Sequence, residues 1–443
     1  MKEARMAQAH PAKALNIGIA GLGTVGMATL AIITRAAAAL EAKAGRPIRV
    51  TAISARSRAK DRGADLSGYT WHDDPVSLAQ NPQVDLVLEL IGGAEGDAKA
   101  LIEAALVLGK PVITANKALL AAHGPALAAL AEANGTVIAF EAAVAGGIPV
   151  IKALREALVG NEVTRVSGIL NGTCNYILSR MEAEGLDFST CLKAAQALGY
   201  AEADPTFDVE GYDTAHKLAL LTALAFGTEV DGDAVYVEGI SNVTPLDLVM
   251  AEELGFRIKL LGVAERTAAG IEQRVHPTFV SRQSQLANVM GVTNAVAIDA
   301  TPLGTITLVG PGAGGDATAS AVVADVVDIA RGNHVATFGK AAARLEKPIR
   351  APMQRHEGGY YIRLEVADRP GAAAIIATRM AERGISLESI LQKGREHRHS
   401  DTGSVPVILL TYATTELLIR NAVAAIAEDG VLEGPPQVIR IER

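Results

Sequence analysis

The sequence predicts an α/β chain in three successive parts. These are a parallel-sheet domain, an α+β domain with a mostly antiparallel sheet, and a C-terminal ferredoxin-like βαββαβ unit. Three observations predict it. Apolar runs of strand length alternate with alanine-rich helical stretches from Leu15 to Phe140, the rhythm of a parallel sheet. After residue 150 that rhythm breaks, and four strand-like runs follow one another between Phe256 and Val309. Beyond a stretch rich in Pro, Arg, His and Gly at 347–357, the pattern reads strand, helix, two strands, helix, strand.

At 443 residues the chain suits two or three domains. The net charge is −8 and no Lys/Arg-rich block stands out, which argues against nucleic acid and anionic membrane as partners. Two cysteines, Cys174 and Cys191, make neither a disulfide framework nor a zinc site and point to a reducing, cytoplasmic compartment. The opening MKEARMAQAHPAK reads as a frayed tail, without the apolar run of a signal peptide. No uninterrupted apolar stretch has the length to span a membrane.

The first part begins with a buried strand, LNIGIA at 15–20, which runs into Gly21-Leu22-Gly23-Thr24-Val25-Gly26 and a helix to about Lys43. A strand at 48–54 follows. In that strand–turn–helix–strand setting, GxGxxG predicts a dinucleotide site of Rossmann type. Gly21 permits the tight turn, Gly23 the approach of a pyrophosphate, and Gly26 the close packing of helix on strand. The helix N-terminus offers free N–H groups to phosphate. An NAD site places an acid at the end of the second strand. Here no acid precedes Asp61, and Arg56, Arg58 and Lys60 can meet a 2′-phosphate. The pattern favours NADP, with NAD open and solvated loop charges as the plain alternative.

Further strands are expected at 84–91, 111–114 and 136–140, with helices at 95–108 and 118–133. Lys117 stands at the C-terminal end of a parallel strand, on the side where such sheets bind ligands. It could bind a carboxylate, carry a proton, or be a surface lysine. The second part opens with a strand at 163–170, a turn at Asn171-Gly172-Thr173 that caps a helix to Glu184, and a helix at 189–198. After its strands, GPGAGG at 310–315 leads into an apolar helix to about Ile329, expected to return to the first domain. The expected domains are 1–150 joined by 310–335, then 151–309, a linker at 336–357, and a separate unit at 358–443.

One stretch concentrates charge in a chain that is 49% hydrophobic: GYAEADPTFDVEGYDTAHKL at 199–218. Through Asp208 it has no helical period and reads as a loop exposing Glu202, Asp204 and Asp208. It then becomes a helix on which Asp213 and Lys217, four apart, share a face. Such a pair can exchange a proton at a carbonyl or hydroxyl, or it can be an ordinary surface ion pair. His216 should face elsewhere, because neighbouring helical positions point about 100° apart.

These strings together resemble homoserine dehydrogenase over almost the whole chain: GLGTVG (21–26), TANK (114–117), EAAVAGGIP (141–149), GILNGTCNYIL (168–178), the 199–218 stretch, and GPGAGGDATASAV (310–322). The terminal unit, with DRPG at 368–371, resembles an ACT regulatory domain, as in the monofunctional form of the family. The resemblance implies interconversion of L-homoserine and L-aspartate 4-semialdehyde with NAD(P)H, within threonine, methionine and isoleucine biosynthesis. It makes Lys217 the general acid/base and Asp213 a substrate or water partner. Glu202 would hold the substrate ammonium, and Lys117 would lie between nicotinamide and substrate. Gly199 and Gly314 would approach the cofactor. Glu141, Val144, Gly146 and Ile148 match the family's monovalent cation (Na+ or K+) site, three of them through backbone carbonyls. Feedback by L-threonine through the ACT unit is implied, as is a homo-oligomer: a dimer through the 150–309 sheet or a tetramer through ACT pairing. Deletion after about residue 350 should then leave catalysis and remove inhibition.

The chemistry of the residues agrees. Hydride delivery to an aldehyde builds charge on oxygen, which a nearby ammonium neutralises and protonates. Oxidation of the alcohol needs a neutral lysine, so it should run better at alkaline pH. Two rivals remain: a non-enzymatic amino-acid sensor, and an aspartate-semialdehyde dehydrogenase with Cys174 as nucleophile. Cys174 reads as a buried small residue at the start of an apolar helix. His123, His276 and His334 lack metal spacing, and His397-Arg398-His399 falls in an expected loop.

Overall fold

Apolar strands two to seven residues long, joined by long connections that are mostly helical, are too far apart in the chain for hairpins, so they pair in parallel. The structure, a computed structural model, describes residues 13–392 and 404–442. The first sheet contains β1 (Leu15–Ala20), β2 (Ile48–Ser54), β3 (Thr70–His72), β4 (Leu86–Glu89), β5 (Val112–Thr114) and β6 (Ile138–Ala139) in the all-parallel order β3-β2-β1-β4-β5-β6. In that order successive strands are added first on one side of β1 and then on the other, and such sheets bind ligands at this switch between β1 and β4. Two expected strands are shorter than the sequence suggests. The 84–91 run ends at Glu89, whose side chain caps the following turn, and 136–140 keeps only two paired residues before a 3-10 turn at Glu141–Ala143. Strand β3 has too few residues to leave a periodic signal.

Helix Gly315–Arg331 returns to this sheet. Its Val322, Val323 and Val326 share a core with Ile17, Ile19, Leu30 and Ile33. No single helix among the described residues is long and apolar enough to cross a membrane.

The second sheet starts with β7 (Glu162–Ile169), β8 (Tyr236–Val237), β9 (Phe256–Thr267), β10 (Gly270–Ser281), β11 (Thr293–Thr301) and β12 (Gly304–Pro311). The C-terminal unit adds β13 (Glu357–Ala367), β14 (Leu387–Gln392), β15 (Ser404–Thr411), β16 (Thr414–Thr415) and β17 (Gln437–Glu442). The main path runs β12-β11-β7-β9-β10-β17-β13-β15-β14. Neighbours along it are antiparallel except β10 and β17, which pair in parallel through Thr278–Arg440, Phe279–Ile441 and Val280–Glu442.

The C-terminal unit has the expected βαββαβ order but does not stand apart. Its last strand continues the second sheet, and Phe279 stacks on Tyr361 at 4.6 Å. Helix Pro245–Glu253, which the sequence reading passed over, contributes Asp247. This fully buried carboxylate accepts from Arg363 Nε and Tyr361 Oη, each at 2.8 Å. The expected linker is likewise pinned: Ile271 N donates to Ile349 O at 2.8 Å, and Arg350 makes a paired contact with Asp231 at 2.7 and 2.6 Å. Long-range pairing of this kind leaves no trace in local composition. The histidine cluster at 397–399 lies outside the described residues.

Candidate active site

The C-terminal ends of β1, β2, β4 and β5 form one rim. At β1 the glycines are required by close approach. A Cβ on Gly21 would lie 2.2 Å from Leu90 O, and one on Gly26 would lie 1.9 Å from Gly21 O. A Cβ on Gly23 would meet nothing within 4 Å. Gly23 caps helix Thr24–Arg35, whose first turn has neither a side-chain cap nor an acid. Its N–H groups therefore face open space suited to phosphate. Gly314 caps helix Gly315–Arg331 without a side-chain bond, and a Cβ on Gly315 would lie 3.0 Å from Thr24 Cγ2. Two helix N-termini thus converge, and the residues fit a dinucleotide pyrophosphate.

Arg56, Arg58 and Lys60 are exposed on the loop after β2. The sequence reading missed Arg62, which ties this loop to the glycine turn. Its Nε donates to Leu22 O at 3.3 Å and its Nη atoms to Lys60 O and Ser57 O at 2.9 and 2.8 Å. Arg58 and Arg62 both lie over the Trp71 ring, at 5.9 and 5.6 Å.

At the ends of β4 and β5 a buried relay aims Lys117. Glu89 accepts from Ile91 N, Gly92 N and, at 2.5 Å, Thr114 Oγ1. Thr114 Oγ1 in turn accepts from Asn116 N at 2.9 Å. Asn116 donates to Gly93 O at 2.7 Å and caps helix Lys117–Ala133 by accepting from Leu119 N. Lys117 therefore starts a helix with its side chain directed across the rim.

It meets the charged stretch there. Pro205 and Gly211 break the chain into a short helix, Thr206–Val209, and helix Tyr212–Phe226. The latter buries Leu218, Ala219, Leu220 and Leu221 and leaves Asp213 and Lys217 on one face. Lys217 Nζ lies 2.7 Å from Asp213 Oδ2 and 2.7 Å from Leu170 O. Lys117 Nζ lies 3.1 Å from Asp213 Oδ1. One carboxylate thus joins two ammonium groups from two domains. Burial pushes the Asp213 carboxyl up, but Lys217, Lys117 and Asn171 more than offset this and hold it well below the usual carboxylate range.

Asn171 is the residue whose site role was not legible in the sequence beyond its capping. Its Oδ1 accepts from Cys174 N at 2.8 Å, and its Nδ2 donates to Asp208 Oδ1 and Asp213 Oδ2 at 2.8 and 2.9 Å. It sets the two acids side by side. Burial and the neighbouring Asp213 raise the Asp208 carboxyl, against the Asn171 bond. Glu202 is exposed, its carbonyl accepts from Gln196 Nε2 at 3.0 Å, and among the described residues its side chain stands outside the hydrogen-bonded set around Asp213. Gly199 takes a left-handed conformation, φ 74°, at the end of the preceding helix. His216 does turn from the Asp213–Lys217 face. Its ring meets Phe207 edge-on at 5.3 Å, yet it remains near enough to Lys117 for that charge, after burial, to lower its pKa.

Cys174 is fully buried and its Sγ donates to Asp208 O at 3.2 Å; burial, then Asp208 and Asp213, pushes the thiol well up. A nucleophile needs the opposite. Glu141 is buried with both carboxylate oxygens occupied, accepting from Ile151 N and Lys152 N at 2.9 and 2.8 Å. Val144, Gly146 and Ile148 are buried in the turn that follows, where Ala145 and Gly146 take φ of 56° and 53°. Among the described residues no group of three or more His, Cys, Asp or Glu could hold a metal ion. A cation here would be held by carbonyls, with the Glu141 side chain already used as a helix cap.

The comparisons with known proteins cover the stretches of chain that carry these residues. The family model described as "Homoserine dehydrogenase, NAD binding domain" matches residues 21–141, and "Homoserine dehydrogenase" matches 149–327. A homoserine dehydrogenase of Pseudomonas aeruginosa is 46% identical over 97% of this chain and 99% of its own length. The crystal structure of a homoserine dehydrogenase from Thiobacillus denitrificans is 43% identical, covers 97% of this chain and 98% of its own, and superposes with a TM-score of 0.91. A hyperthermophilic archaeal homoserine dehydrogenase mutant in complex with NADPH is 27% identical, covers 71% of this chain and 97% of its own, and gives a TM-score of 0.61. With the glycine turn and the facing lysines already in position, that agreement along the chain identifies it as a member of the homoserine dehydrogenase family, NAD(P)-dependent oxidoreductases.

Proposed function

We propose that the chain interconverts L-homoserine and L-aspartate 4-semialdehyde at the Lys117–Asp213–Lys217 cluster, with Lys217 as general acid/base. The observation that carries this reading is the hydrogen-bond count at Lys217. An ammonium has three N–H donors; Asp213 and Leu170 O take two. The third is available to a substrate oxygen. In reduction it stabilises the developing alkoxide and gives up its proton; in oxidation the neutral amine takes the hydroxyl proton. Asp213 keeps Lys217 oriented through both directions. Lys117, on the cofactor side of Asp213, adds a second positive charge, and Glu202 is the proposed partner of the substrate ammonium.

Gly21 to Gly26, Gly199 and Gly314 would hold the dinucleotide, which supplies or accepts the hydride when bound. NADP is favoured: no acid ends β2, and Arg56, Arg58 and Lys60 are exposed beside it. The archaeal relative bound to NADPH is consistent with that choice. The C-terminal strand order β17-β13-β15-β14 supports reading the unit as an ACT domain, with L-threonine as its ligand. A monovalent cation at the 141–148 turn, a dimer through the second sheet, a cytoplasmic location, and a place in threonine, methionine and isoleucine biosynthesis complete the reading.

The test follows reduced nicotinamide by absorbance, with L-homoserine and NADP+ at alkaline pH, in the wild type and Lys217→Ala. Loss of a positioned general base should lower kcat by about 10²–10⁴-fold. Equal rates would move the proton-transfer role to Lys117. No reduction by the wild type with either dinucleotide would remove the catalytic reading.

A further inference from the structure

The loop carrying Asp208 is not held by its own domain alone. Ile240 N donates to Val209 O at 2.9 Å, and Ser241 Oγ donates to the Glu210 carboxylate. Gly239 lies directly under that turn: a Cβ there would stand 2.6 Å from both Glu210 Cα and Val209 O. Val209 and Glu210 connect Asp208, which Asn171 joins to Asp213, with Gly211, where the helix of Asp213 and Lys217 begins. A Cβ on Gly211 would lie 3.0 Å from Val275 and 3.1 Å from Val237. Residues 237–241 therefore form the floor of the loop.

That floor is gripped from the other side by the C-terminal unit. Arg440 on β17 is 1% exposed. Its Nη1 and Nη2 both donate to the Glu238 carboxylate, and its Nε reaches Glu416 at 3.1 Å. Arg420, half-exposed on helix Glu416–Glu428, donates to Tyr236 Oη and pairs with Glu416 at 2.8 Å. Both guanidinium groups lie over the Tyr236 ring, at 5.5 and 5.4 Å. Buried ion pairs such as Arg440–Glu416 are a poor source of net stability, and here the two Arg440 bonds to Glu238 tie the floor to β17.

We propose that Glu238 and Ser241 are positioning residues for the substrate loop, and that the C-terminal unit, through Arg420 and Arg440, sets where that loop stands. The proposal rests on reading residues 200–213 as the substrate loop. It makes the C-terminal unit part of the working enzyme whether or not a ligand binds there. Movement of β17 or helix Glu416–Glu428 would reach Asp208 through three short links: Arg440–Glu238, Gly239–Glu210, and Val209–Asp208.

The experiment is a double-mutant cycle in the full-length chain, with Ser241→Ala, Arg420→Gln and their combination. Each single change should raise the KM for L-homoserine by about 5-fold or more, a typical coupling factor. The dinucleotide KM and kcat should stay near wild type. The double variant should be no worse than the worse single, because both act through one path. Arg379→Gln, whose partners Asp429 and Glu382 lie within the C-terminal unit, serves as control and should leave KM alone. An unchanged KM in Arg420→Gln, multiplied effects in the double, or an equal rise in Arg379→Gln would overturn the proposal. Should Arg420→Gln fail to fold, Glu238→Gln replaces it in the same cycle. Failure of the site reading is separate: it would show as no reduction of NADP+ or NAD+ with L-homoserine by the wild type.

Discussion

Replacing Asn171 by aspartate should turn the junction of Asp208 and Asp213 into a pH-sensitive weak point. The side chain is almost completely buried and makes three bonds. One of them, from Cys174 N to Oδ1, survives the change, since aspartate caps a helix as well as asparagine. The other two do not. A second oxygen would face Asp208 Oδ1 at 2.8 Å and Asp213 Oδ2 at 2.9 Å, where an amide now donates to both. Each hydrogen bond to a charged group is worth about 1.5–3 kcal/mol. Asp208 is only half-buried and water can replace part of its loss, so the total deficit is about 3–4 kcal/mol. Two adjacent carboxylates raise the new group's folded pKa above its unfolded value of about 4. Its protonated form donates one bond back, and that contribution is present at low pH and lost as pH rises. Urea titrations followed by circular dichroism at about pH 5 and about pH 8 should show the deficit growing from about 1–2 to about 3–4 kcal/mol. The KM for L-homoserine should rise in step. A deficit that is the same at both pH values, or absent, would refute the bridging role.

Three other outcomes are expected. Gly26→Ala drives a methyl into Gly21 O at 1.9 Å; overpacking of about 1–3 kcal/mol predicts dinucleotide binding weakened by about 10- to 100-fold, measurable by cofactor fluorescence. Burial and Asp325 push Glu141 up to about 7. The stability this contributes is whole below about pH 4.5 and lost as pH rises through the folded value, by about 3 kcal/mol; urea midpoints should show this slope in the wild type and not in Glu141→Gln. A chain ending at residue 350 should lose soluble activity, not merely inhibition. It strips β17 from β10 and leaves Asp247 buried without Arg363 and Tyr361; recovery of a soluble, active fragment would show that the junction is dispensable.

Much of this molecule is written in local pattern. The glycine spacing at 21–26, the alternation of strand and helix, and the four-residue step from Asp213 to Lys217 are short-range features. Each has a direct geometric meaning, and each appears in the structure where the sequence predicts it. The βαββαβ order of the last part is of the same kind.

Tertiary structure decided the rest. Lys117 could be surface, carboxylate-binding or proton-carrying until a helix from another domain brought Asp213 to 3.1 Å from it. Asn171 looked like a helix cap, and it is one; its amide nitrogen acquires a second task only because Asp208 and Asp213 arrive beside it. Arg62 is distinguished from its basic neighbours by reaching back to Leu22, a contact no spacing rule contains. The C-terminal part reads as separate because its own strands and helices are complete, while its attachment depends on one parallel ladder and a few buried ion pairs from distant positions. The physical reason is common to all four. Backbone periodicity and glycine sterics act over a few residues and are legible in sequence. A charge takes its role from whatever the fold places within hydrogen-bonding distance.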